Sequence, residues 1–413
     1  MGKPTVMKIN GKFAPRFSTK LLIDIPLLIA TAALLIIGLL TLYSASWSAA
    51  IQNFDNGLYY VARQALWILI GLVAATTVSF MDYHIFEHLA LPILVISILM
   101  LLLVMFKNPE GGYTRTVFNN SVQPSEFAKP ALIIYMAYWL TKKQENLSSL
   151  KAGTLPVFAI LAIMGILVLA QPDVSAAITI VVLGALMFFI AGGNIKHILT
   201  LIMIGATMLF LGYFLFDKVS VRISDFLSGL KNPADASYHI QRSFIAIIRG
   251  GIFGVGIGKG STKITGLPVA WTDSIFAVIL EETGLVGGCL LMALYLVILW
   301  RGYEIFKKAP DTFGKMLASG ITSWIFLEIV INISVMVNII PFAGNALPLI
   351  SFGGSSMITT LTGIGILMSI SRCSTIESIN KGRSTPDAFI SLRRRDWGWR
   401  VSSVGRHSGS ERE

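Results

Sequence analysis

The chain has 413 residues, 54% of them hydrophobic and 13% charged, with 33 Lys and Arg against 22 Asp and Glu and a formal net charge of +11. A mean hydropathy of +0.72 excludes a water-soluble globular domain, which needs more polar surface to cover itself. Repeated apolar runs of about 20 residues, each able to cross ~30 Å of hydrocarbon as a helix, predict an all-α polytopic membrane protein.

In chain order, segment 1–20 carries Lys3, Lys8, Lys12, Arg16 and Lys20. The apolar run after it is longer than a signal-peptide core and lacks a small-residue cleavage site, so it is expected to be a retained first span. Hydrophobic patterning predicts ten spans, at about 21–45, 59–80, 86–106, 125–141, 154–171, 174–192, 197–216, 273–300, 316–339 and 351–371. Basic residues mark the N-terminal segment, the 141–153 and 301–315 loops and the tail with Arg393–Arg395, whereas 46–58 and 340–350 carry none. The positive-inside rule then places both termini in the cytoplasm. Topology and anionic lipid account for the net charge, so no nucleic-acid partner is required.

A large extracytoplasmic loop, about 217–272, is expected between spans 7 and 8. It holds Lys218, Arg222, Lys231, Arg242, Arg249, Lys259 and Lys263, which a long loop tolerates outside. Its stretch "SYHIQRSFIAIIRGGIFGVGIGKG" predicts an amphipathic helix at the membrane interface followed by Gly-rich chain. The organisation is therefore a cytoplasmic segment 1–20, a transmembrane domain 21–375, and a basic tail 376–413 expected to be disordered. Cys289 and Cys373 show no metal-thiolate spacing and argue against a disulfide, and five histidines without an HExxH pattern argue against a zinc enzyme.

Four stretches carry charge or broken backbone where lipid is expected. In "SVQPSEFAKPAL", Glu126 and Lys129 share a helix face. They are either a surface ion pair or, inside a span, a pair facing protein or a water-filled cavity. Arg115 adds a cation just upstream. In "AQPDVSAA", Asp173 stands at a tight helical hairpin, as a cap or a functional acid. In "LPVAWTDSIFAVILEETG", Asp273 marks the junction of loop and helix, as an N-cap or a general base. Glu281 and Glu282 lie ~12 Å further along at 1.5 Å per residue, either as a buried pair locking helices or as a proton relay. In "NALPLISFGGSSM", the amides of Gly353, Gly354 and Ser355 could bind an anion or serve close packing. All of these except the deeper glutamates converge on the outer face, which suits an anionic, lipid-linked substrate.

The motifs "QPSEFAKPAL", "QPD", "YHIQRSFIAIIRGGIFGVGIGKG", "LPVAWTDSIFAVILEETGLVGG" and "LPLISFGGSS" occur in the order found in the SEDS family, the FtsW/RodA/SpoVE group. Over roughly residues 20–375 the chain resembles that family, and its Thr-Asp-Ser-Ile-Phe stretch and basic tail look more like FtsW than RodA. Trp271 stands where the family usually has His, Ser274 where it has Phe, and Phe352 where Tyr is common. The resemblance implies a polymerase of peptidoglycan glycan strands at the bacterial cytoplasmic membrane, in cell division or cell-shape maintenance. It implies lipid II and a polyprenyl-diphosphate-linked glycan as substrates and Asp273 as the base.

A diphosphate leaving group needs cations or a metal rather than a protonating acid. Arg115, Lys129, Arg242, Arg249, Lys259 and Lys263 are candidates, with Glu126 orienting Lys129, Ser355 contacting substrate, and Mg²⁺ a further option beside a carboxylate. Asp173, Glu281 and Glu282 are expected to be structural or to relay protons. The resemblance also implies a class B penicillin-binding protein transpeptidase and other division or elongation proteins as partners. The rival readings are a lipid II flippase and a non-catalytic scaffold.

Overall fold

The computed structural model describes residues 23–106, 123–147, 149, 153–171, 173–215, 217–341 and 344–383. Arg115 and the tail beyond Arg383 lie outside the described residues. Among those described there is no strand. The helices are α1 (Ile25–Phe54), α2 (Tyr59–Phe80), α3 (Ile85–Phe106), α4 (Pro124–Lys142), α5 (Leu155–Leu169), α6 (Val174–Ile190), α7 (Ile195–Leu215), α8 (Asp217–Lys231), α9 (Tyr238–Gly250), α10 (Ile275–Lys308), α11 (Thr312–Met336) and α12 (Gly354–Arg383).

Each predicted span falls on a helix. By length and composition, α1, α2, α3, α10, α11 and α12 are apolar enough to cross a membrane, and α5 and α6 are shorter apolar helices. The surface is apolar, with Ile29, Leu40 and Leu69 among many large hydrophobic side chains that are more than half exposed. That outward-facing apolar surface is what a lipid solvent selects. The protein is a multi-pass membrane protein. Its core is built on α4 and α11, where Leu132, Met136, Leu317 and Trp324 are buried. Asp24 caps α1 by accepting from the Leu27 N–H and receives Arg301 from the far end of α10, Nη2 to Oδ2 at 2.6 Å, which fixes the two helices at that end.

Within 217–272 the stretch expected as an amphipathic helix is α9, and α8 is a further helix there. One expectation needs correction. The span expected at 273–300 is not one continuous helix. At Gly284 the backbone adopts φ 67° and ψ −169°, which breaks α10 in its first third. A break inside a membrane helix frees backbone groups that lipid cannot satisfy. Here the Gly-rich chain after α9 supplies the partners. Val255 and Gly256 N–H donate to the Glu281 and Glu282 carbonyls at 3.0 Å each, and the Gly251 and Ile252 carbonyls accept from Leu285 and Val286 N–H. The sequence "GGIFGVG" is thus needed for close backbone approach: a Cβ on Gly254 would stand 2.2 Å from the Glu282 carbonyl oxygen. The last helix also runs on to Arg383, past the expected boundary at 376.

Candidate functional site

The end of α1 and the starts of α2, α4, α6, α10 and α12 meet around a cavity of about 590 Å³. Under alternating topology these helix ends share one membrane face. Its lining includes three acids, Asp273, Glu126 and Asp173, together with the rings of Tyr59, Tyr60, Trp271 and Phe352 and the Arg63 side chain.

Asp273 sits on a tightly held turn. The Trp271 carbonyl accepts from Phe352 N–H at 2.9 Å. The Thr272 carbonyl accepts from Ser351 Oγ at 2.6 Å and the Asp273 carbonyl from Asn332 Nδ2 at 3.0 Å. Ser274 Oγ lies 2.9 Å from His239 Nε2. Four consecutive residues are therefore tied to α9, α11 and the hairpin before α12. The carboxylate itself lies against Gly344, where a Cβ would come within 2.7 Å of Asp273 Oδ2. Asp273 does not cap α10; that position is Ser274, with no side-chain cap bond.

Asp173 does cap α6, accepting from the Ala176 N–H. It also accepts from Gln123 Nε2 at 2.8 Å and from the Ser125 and Ser175 hydroxyls at 3.0 Å each. Ser125 is thus a partner of Asp173, and the cap position of α4 is Gln123. Ser355 accepts from the Gln123 N–H at 2.8 Å, tying the start of α12 to that of α4.

Lys129 is buried behind Glu126. Its ammonium donates to Glu126 Oε1 at 2.7 Å and to Glu328 Oε1 at 2.5 Å, and Trp324 Nε1 donates to the same Glu328 oxygen at 3.1 Å. One ammonium thus bridges two buried carboxyl groups, and a low-dielectric setting strengthens both hydrogen bonds.

Glu281 and Glu282 are remote from the cavity. Glu281 accepts from the Ser261 and Thr262 N–H groups and from Thr262 Oγ1. Glu282 accepts from Ser44 Oγ and pairs with Lys263 Nζ, both at 2.5 Å. The loop cations weighed for diphosphate binding do not line the cavity. Lys263 is consumed by Glu282, Arg249 donates to Ser261 Oγ at 2.6 Å, Arg242 donates to Tyr238 Oη at 3.1 Å, and Lys259 is exposed. Charge alone carried those assignments, and charge does not name a partner. Sequence reasoning missed Arg63, Glu328, Asn332 and His239. Glu328 was findable by the rule that singled out Glu281, because it is an acid within an apolar helix. Among the described residues no group of three or more His, Cys, Asp or Glu side chains is placed to hold a metal ion.

Fold and site together define a polytopic membrane protein with a polar, acid-lined site at one membrane face. The FtsW/RodA/SpoVE family, described as cell cycle protein, matches residues 25–376, and the chain belongs to that family. It is 38% identical over 357 residues to a probable peptidoglycan glycosyltransferase FtsW of Trichlorobacter lovleyi, covering 84% of this chain and 93% of that one. It is 36% identical over 359 residues to stage V sporulation protein E of Bacillus subtilis, covering 85% and 97%. Among solved structures, a peptidoglycan synthase complex described as coordinating polymerization and crosslinking shares the fold with a TM-score of 0.68 at 24% identity, covering 85% of this chain and 98% of that one. The rod shape determining protein RodA of Thermus thermophilus aligns with a TM-score of 0.61 at 25% identity, covering 85% and 97%.

Proposed function

We propose that this protein is a peptidoglycan glycosyltransferase that lengthens glycan strands from lipid II, with Asp273 as the general base. The observation that carries the reading is the placement of the Asp273 carboxylate on the wall of the cavity, on a turn whose backbone is held at successive residues. The 4-hydroxyl of a lipid-linked acceptor attacks the anomeric carbon of a donor glycan. The hydroxyl proton passes to Asp273, the new C–O bond forms, and the bond to the polyprenyl diphosphate breaks with its electron pair on the diphosphate. A single displacement turns an α-linked donor into a β-linked product. Preorganisation supports this role, since a base held rigidly needs no reorganisation in the transition state.

Positive-inside charge supports placing both termini in the cytoplasm and the cavity at the outer face of the bacterial cytoplasmic membrane. The solved neighbour described as coordinating polymerization and crosslinking favours work with a crosslinking transpeptidase, the motif resemblance favours one of the class B penicillin-binding type, and motif details favour division over elongation.

The test uses purified protein in liposomes with labelled lipid II, with and without the cognate transpeptidase, comparing wild type with Asp273→Asn. Glycan strands from wild type alone are expected. Strands from a well-folded Asn variant would overturn the role of Asp273, and lipid II crossing the bilayer with no polymer from any preparation would favour a flippase.

A further inference from the structure

Asn332 stands in the apolar helix α11 and is 1% exposed. Its Nδ2 donates to two main-chain carbonyls at once, to Asp273 at 3.0 Å and to Asn345 at 2.6 Å. Its Oδ1 is buried and meets no donor among the described residues. An unpaired acceptor in the core costs stability, so an apolar residue would serve packing alone better. The two donor contacts also fix which way the amide faces, because turning it over would set Oδ1 against both carbonyl oxygens.

The two segments that this amide joins are strained. Among the described residues four non-glycine residues hold positive φ. Asp55 and Asn338 are of the types that tolerate it. Val269 at 46° and Leu349 at 64° are not, and they lie in the turn before Asp273 and in the hairpin before α12. Strain of this kind persists only where the surroundings over-determine it. Leu349 is buried, with its carbonyl against α1 where Gly38 leaves room: a Cβ on Gly38 would stand 2.8 Å from that oxygen. The neighbouring Pro348 carbonyl accepts from Tyr295 Oη at 2.5 Å. Val269 has no such packing, since it is 43% exposed. Hydrogen bonds hold its turn instead.

We propose that Asn332 is a positioning residue for the base: its amide clamps the strained turn that carries Asp273 to the hairpin on which the carboxylate rests. This rests on the glycosyltransferase reading and adds to it what keeps the base in place. Asn345 follows Gly344, against which Asp273 Oδ2 lies. Asn345 Nδ2 in turn donates to the Glu328 carbonyl at 3.2 Å, one turn earlier in α11. One helix therefore holds both the backbone of the base and the wall beside its carboxylate. A turn that stores strain relaxes when a restraint is lost, and a base that has moved by about 1 Å is a much poorer base.

The experiment measures glycan-strand synthesis from labelled lipid II in liposomes with the cognate transpeptidase, well below the melting temperature of every variant. Asn332→Ala should lower kcat about tenfold or more and change KM by less than about twofold. In the Asp273→Asn background it should leave lipid II binding within about twofold of the parent, because the clamp acts on the base and not on the ligand. Val269→Asn accepts the left-handed conformation more readily and should raise the melting temperature. Added to Asn332→Ala, it should raise kcat about threefold or more, since the turn then keeps its conformation without the clamp. Gly205→Ala, remote in α7, should recover none of the rate. Asn332→Ser, whose hydroxyl is too short to span both carbonyls, replaces the Ala form if that does not fold. A folded Asn332 variant with kcat within about twofold of wild type would overturn the clamp and keep the enzyme. Equal recovery by Gly205→Ala and Val269→Asn, or no rise in melting temperature with Val269→Asn, would overturn its action through the strained turn. No polymer from wild type would remove the base and the clamp together.

Discussion

Ser274 Oγ lies 2.9 Å from His239 Nε2, a buried contact that ties the residue after Asp273 to α9. Ser274 is also 3.3 Å from the Pro268 carbonyl, so its hydroxyl closes the turn on which Asp273 sits. Phe is usual at this position in the family, and a phenyl ring would have no use for the imidazole. His239 and Ser274 therefore act as a pair.

Ser274→Ala and His239→Ala should each lower kcat several-fold while leaving KM for lipid II nearly constant, because each loosens the base without touching the substrate. Each loss of this hydrogen bond should cost about 1 kcal/mol of stability. The double variant should be no worse than the poorer single one. Steady-state kinetics with thermal melts decide it; additive losses in the double variant would mean that the two residues act separately.

Burial pushes the His239 imidazole down to about 4. Arg222 and Asp225 are its charged neighbours across a small cavity. An unfolded histidine titrates near 6.5. Above that pH both states are neutral and His239 makes no pH-dependent contribution. As pH falls from about 6.5 toward 4 the unfolded chain takes up a proton that the native state refuses, so stability falls. Melting temperatures of wild type and His239→Gln, measured from pH 7.5 to 4.5, should converge at the acid end. Parallel curves would remove His239 as the source.

Lys129 holds Glu126 and Glu328 together in the core. Lys129→Met would leave two buried carboxylates without a counter-charge, at a cost of about 3–5 kcal/mol. Adding Glu328→Gln to that variant should restore part of the loss, because it removes one of the orphaned charges. Melting temperatures of the three proteins test this, and a Lys129→Met protein as stable as wild type would show that the triad carries no stability.

Much of the site was legible because it breaks rules that membranes enforce. Asp273, Glu126 and Asp173 are acids in apolar surroundings, and the Pro- and Gly-interrupted approach to Ser355 is backbone that lipid does not tolerate; all four line one cavity. The ten apolar runs all fall on helices because hydropathy is a direct reading of the solvent. What was missed follows from the same logic. Arg63 stands near the start of a span, where cations are common interface anchors. His239 and Asn332 are uncharged polar residues that a pattern scarcely registers. Lys263 pairs with Glu282, 19 residues away, a contact that no local pattern in the sequence announces.

The break in α10 makes the last prediction. Gly284 holds φ 67°, and a Cβ there would stand 2.4 Å from both the Gly254 nitrogen and the Ile252 carbonyl oxygen. Neither atom can yield without breaking the backbone bonds that satisfy the interrupted helix. Gly284→Ala therefore adds a strained conformation, about 1 kcal/mol or more, to a clash between main chains. The control is Gly205 in α7, where a Cβ would meet nothing within 4 Å. Alanine there should be neutral or stabilise by up to about 1 kcal/mol, as for Gly in a helix interior. Gly284→Ala should lower the melting temperature and the polymerisation rate together, since the strained segment supports the first stretch of α10, which begins just after Asp273, and Gly205→Ala should change neither for the worse. A Gly284→Ala protein with wild-type melting and rate would mean that α10 can run straight through this position, and that the break is not what holds Asp273 in the cavity.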